Sequence, residues 1–93
     1  MTSNIANERK LEFHNAELAR DLFGPQQKNL SRLKSATGVD ISSRGTSVLL
    51  RSDDQSTVDM ASDLLAQLYG LLQSGHTLHP QDFEHALKAL RAD

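Results

Sequence analysis

The chain contains no cysteine and no tryptophan. Without cysteine it has no disulfide framework, no thiolate metal site and no cysteine nucleophile. Three Phe and one Tyr are its whole aromatic complement, too little for a broad base-stacking platform. No apolar run exceeds a few residues, against the ~20 that a membrane-spanning helix needs. The opening MTSNIANERK lacks the apolar core of a secretory signal, so the expectation is a cytoplasmic protein with no membrane contact. Neither sign of charge dominates: ten Lys and Arg face twelve Asp and Glu, for a formal charge of -2. That balance argues against a strongly electrostatic nucleic-acid binder, while leaving room for a local basic face.

What is present fits one small domain, since 93 residues fall just under the roughly 100–200 usual per domain. Residues 1–9 carry a single apolar residue of any size, Ile5, and read as a flexible tail; residues 10–93 form the domain. Lys10 to His14 alternates with period two and predicts a short strand with Leu11 and Phe13 inward. Asn15 is a helix N-cap, and Leu18, Ala19, Leu22 and Phe23 mark one face of a short helix stopped by Gly24-Pro25. Gln26 to Thr37 predicts a second helix buried along Leu30, Leu33 and Ala36 and ended by Gly38. Val39 to Ser42 and Val48 to Arg51 predict a hairpin turning at Arg44-Gly45, with Val48 and Leu50 inward. Residues 55–73 carry the longest stripe, through Val58, Ala61, Leu65, Leu68 and Leu72, and Gly75 ends it. Pro80 then opens a last helix in which Leu78 and Phe83 stand at staple spacing. The predicted class is α+β, a small, mainly antiparallel sheet covered by helices on one face.

The order β-α-α-β-β-α, with one additional C-terminal helix, resembles the type I KH domain, which clamps single-stranded nucleic acid with a GxxG loop between its first two helices. Here Gly24-Pro25-Gln26-Gln27 occupies that place, with Gln27 where the second glycine stands. Further blocks resemble the N-terminal region of PhoH-like P-loop ATPases: Leu11-Glu12-Phe13, Leu22-Phe23-Gly24-Pro25 with Asn29-Leu30, and Gly38 to Gly45. Leu68-Tyr69 and Gly75-His76-Thr77-Leu78 complete the set, which runs from about Leu11 to about Arg91. The resemblance implies a link to phosphate starvation and RNA metabolism, and an ATPase domain following this one. A Walker A loop, Gly-x-x-x-x-Gly-Lys-Ser/Thr, is not found in these residues. The expectation is therefore the N-terminal domain of a larger ATPase, with no cofactor of its own. ATP and magnesium are implied for the parent protein only.

The candidate nucleic-acid site gathers at the Gly24 turn. Gly24, Gln26 and Gln27 supply a backbone loop at the start of a helix, where free N–H groups attract phosphate. Lys28 and Arg32, four apart, share a face of that helix; Arg20 on the preceding helix and Arg44 at the hairpin tip could join them. The same residues also read as a helix–helix corner and a tight turn among solvated charges. Three histidines, His76, His79 and His85, could bind zinc, but the start of the last helix separates them onto different faces, and no metal site is predicted. Asp53-Asp54 reads as a helix cap, Asp59 and Asp63 as a solvated face, and no Ser-His-Asp arrangement suggests itself. No catalysis by this chain is expected. Two roles remain: contacting or positioning single-stranded RNA for the ATPase domain, or docking to that domain or to a second copy as a homo-oligomer without nucleic acid.

Overall fold

In the computed structural model, which describes residues 7–92, three strands form one antiparallel sheet in the order β1-β3-β2. They are β1 (Asn7–Glu12), β2 (Asp40–Arg44) and β3 (Ser47–Ser52). The central strand presents Val48 and Leu50, both fully buried, to the helical side. Leu11 opposite Val48 and Ile41 opposite Leu50 extend that face. On the other face Glu8, Arg51 and Asp40 form one cross-strand row and Glu12, Ser47 and Arg44 another, because successive side chains of a strand alternate sides. The β2–β3 turn is two residues, Gly45 and Thr46, with positive φ only at the glycine, as suits a tight hairpin.

Four helices follow the chain order: α1 (Ala16–Phe23), α2 (Lys28–Thr37), α3 (Gln55–Gln73) and α4 (Pro80–Ala92). The central pillar is α3, whose Val58, Ala61, Leu65, Leu68 and Leu72 are buried. Its start is held by Asp54, which accepts from the Ser56 amide at 3.1 Å and from the Ser56 and Thr57 hydroxyls at 2.9 Å. These bonds, Ser56's first and then Thr57's, hold the Asp54 carboxyl below its usual range. The helix ends in a Schellman closure: Gly75, at φ 95°, donates to Leu72 O and His76 donates to Leu71 O. Asn15 caps α1 by accepting from Leu18 N, and its own amide donates to the Tyr69 hydroxyl on α3. Phe13 packs on Phe23 and Tyr69 at centroid distances of 6.1 and 4.7 Å. In α4, Asp82 accepts from the His79 amide, half of a capping box, and Phe83 is wholly buried.

The predicted class, the bounds of α3 and the inward pair Val48 and Leu50 agree with this arrangement. The hairpin turns at Gly45-Thr46 rather than Arg44-Gly45, since Arg44 pairs with Ser47, and two element starts differ by more than one residue. Strand β1 begins at Asn7 rather than Lys10, because Asn7, Glu8 and Arg9 pair with Ser52, Arg51 and Leu50. Residues 7–9 thus leave the predicted tail, whose residues 1–6 lie outside the described ones. Helix α2 begins at Lys28 rather than Gln26, because Gln26 and Gln27 stand at φ 56° and 59°, outside any right-handed helix. Among the described residues no helix is long and apolar enough to cross a membrane.

Candidate nucleic-acid interface

The turn from α1 to α2 is set by three local demands. Gly24 closes α1 by donating to Arg20 O at 3.0 Å and takes φ 81°. A Cβ at this position would stand 2.9 Å from the side chain of Asn29, so glycine is required by space as well as by φ. Asn29 is itself buried and donates through Nδ2 to Leu22 O at 3.0 Å, which ties the first turn of α2 to the last turn of α1. Pro25, Gln26 and Gln27 then make a single tight turn.

Left-handed backbone at a non-glycine residue costs roughly 1–2 kcal/mol, and here Gln26 and Gln27 both adopt it. The Gln27 amide group compensates in part by donating to Ser43 Oγ at 2.6 Å. It thereby bridges the turn to strand β2. No side chain caps α2. The position at which the sequence departs from GxxG thus holds a conformation that glycine would adopt without cost.

The cations sort by their partners. Arg9, Lys10, Arg32, Lys34 and Arg51 each have a carboxylate within 4 Å. Among the described residues Arg20, Lys28 and Arg44 have no such ion pair. Two of the sequence candidates lie outside the cluster at the Gly24 turn. The Arg32 guanidinium lies 2.9 Å from Glu84 Oε2 on α4, and Arg32 lines neither cleft at that turn. Arg44 does not face the turn either: it stands on the open side of the sheet, in one row with Ser47 and Glu12. There Ser47 donates to Glu12 at 2.7 Å and Lys10 lies 3.3 Å away; together they hold the Glu12 carboxyl below its usual range. What the fold brings together is Arg20, Gly24, Gln26 and Gln27, which border a cleft of about 340 Å³ with Gly45 and Thr46 of the hairpin. Lys28 is exposed at the start of α2.

In the sequence His76 stands out only as a metal-ligand candidate or a solvated or capping histidine. In the structure His76 lines a second cleft, of about 650 Å³, together with Arg20, Gly24 and Gln26. The signal for it was the Gly75 helix stop, which fixes where the next residue goes. A third, more apolar groove of about 740 Å³ runs between α3 and α4 past Leu71, Leu78 and Ala86, and Leu71 is 46% exposed.

The Gly24 turn is not a P-loop. A P-loop joins a strand to a helix and places lysine directly after its last glycine, whereas the Gly24 turn joins two helices and offers two glutamines before Lys28. Among the described residues no group of three or more His, Asp or Glu side chains is arranged to hold a metal ion. In comparisons with known proteins no family model, no curated protein and no solved structure matches the chain.

Proposed function

We propose that this chain is a KH-like accessory domain of a PhoH-like ATPase that contacts single-stranded RNA through the α1–α2 turn, in the cytoplasm, and positions it for the ATPase domain. The ATP and magnesium of that reading belong to the ATPase domain. Three strands in the order β1-β3-β2 behind a β-α-α-β-β-α succession support it, with α4 as the additional helix.

The observation that carries it is the turn itself. Gly24, Gln26 and Gln27 hold positive φ at the junction where a nucleic-acid backbone would lie. The uncapped first turn of α2 follows, and Arg20 and Lys28 stand on either side. Backbone N–H groups and unpaired cations are what phosphate contacts need.

The test is a ¹⁵N NMR titration of the domain with a single-stranded RNA octamer at low salt. Shifts are expected at Gly24 to Lys28, and Arg20→Glu with Lys28→Glu abolishes them while leaving thermal stability nearly unchanged. A spectrum untouched by RNA rejects the reading in favour of protein–protein docking or homo-oligomer formation.

A further inference from the structure

The cleft between α1 and the loop joining α3 to α4 has no counterpart in the sequence reading. Its walls are Arg20 and Asp21 of α1 and the bare backbone of Gly24 on one side, and Gly75, His76 and Thr77 on the other. Four observations bear on what it holds. Its volume, about 650 Å³, lies within the roughly 300–1,000 Å³ of small-ligand pockets. Arg20 has no carboxylate within 4 Å among the described residues although Asp21 borders the same cleft, and five other cations are paired. The Schellman closure fixes the His76 backbone through its amide bond to Leu71 O, 3.0 Å. The amides of Thr77 and Leu78, the next two residues, have no acceptor among the described residues. A guanidinium fork, an imidazole N–H and two amides without a protein acceptor are all donors, and their residues line one cleft.

We infer that this cleft is a phosphate-binding site, and that the phosphate is a phosphodiester of the same RNA strand that contacts the Gly24 turn. The inference rests on the RNA reading. The chemistry is that of an anion with several acceptor oxygens: arginine pairs with phosphate bidentately, and histidine in either protonation state keeps at least one N–H to donate. Arg20 and Gln26 border both this cleft and the one at the hairpin, so a strand leaving the turn passes Arg20 into it. Asp21 is the one acidic side chain on the walls and opposes the ligand. Its sign makes the inference testable in both directions.

The experiment is the same titration, followed separately at Gly24 to Lys28 and at His76 to Leu78, with an octauridine RNA and with inorganic phosphate as the second probe. Both sets of amides shift with RNA. Arg20→Ala weakens RNA binding about tenfold and His76→Ala about threefold, whereas Asp21→Asn tightens it about threefold. All three side chains are exposed, so none of these variants disturbs the core. RNA shifts confined to Gly24 to Lys28, with His76→Ala and Asp21→Asn binding as wild type, overturn the cleft and leave the RNA reading standing. If RNA shifts nothing, the RNA reading falls, and phosphate decides the cleft. Shifts at His76 to Leu78 that Arg20→Ala removes keep an anion site there; their absence overturns it.

Discussion

Helix α3 starts from Asp54, whose carboxylate accepts three hydrogen bonds from Ser56 and Thr57, whereas α2 starts from Gln27, left-handed and capping nothing. The Gln27 side chain is engaged elsewhere, on Ser43 of β2. One start serves the helix it opens; the other serves the distance between the turn and the sheet, and leaves the first amides of α2 without side-chain acceptors. The difference separates stability from availability. Asp54 closes off a helix end, and Gln27 holds one open at a conformational cost of roughly 1–2 kcal/mol.

The largest effect expected from breaking this contrast comes from the helix that Asp54 opens. Leu65 is wholly buried in the middle of α3, and Leu65→Ala lowers the unfolding free energy by about 2–5 kcal/mol in urea titration; a loss under about half a kilocalorie would mean that α3 is not the pillar of the core. At the cap itself, Asp54→Ala lowers the melting midpoint by about 5 °C.

The same variant has a pH signature. The Asp54 carboxyl is held below its ordinary range in the folded state, so its contribution is full above the unfolded value of about 3.9 and is lost as pH falls through the lower folded value. Melting scans at pH 7 and pH 3 therefore show a smaller difference for Asp54→Ala than for wild type. Glu12, shifted in the same direction, keeps part of the acid dependence in that variant.

The α2 start responds more weakly, and its two substitutions diverge. Gln27→Ala loses the bond to Ser43 and keeps the strained backbone, costing about 1 kcal/mol. Gln27→Gly loses the same bond but relieves the strain, and lands within about 0.5 kcal/mol of wild type. Equal stabilities for the two variants in denaturant would show that the left-handed backbone carries no cost. The smallest effect belongs to the exposed pair Arg32–Glu84: Arg32→Ala changes stability by less than about 1 kcal/mol and leaves RNA-induced shifts in place.

The bounds of α3 were legible because Asp54 and Gly75 are start and stop signals whose action is local. The inward pair of β3 was legible from period two. The start of β1 was not, since Asn7, Glu8 and Arg9 offer no apolar alternation and become strand only by pairing with residues more than 40 positions away. Nothing in the identity of a glutamine announces positive φ, so the true start of α2 was hidden as well. Arg32 shows a different limit: a spacing of four told which residue shares its face, but not that Glu84 would stand opposite. Arg44 could have been placed better. It lies an odd number of positions from the inward Ile41, and parity alone puts the two on opposite faces of a strand.

The strand order also governs how the chain assembles in time. Strands β2 and β3 meet across a two-residue turn, while β1 must close onto β3 from Asn7 to Ser52. Closing a long loop before any contact rewards it is slow, so the hairpin forms early and β1 joins a partner already in place. A weakened β1 would then come apart faster without assembling more slowly.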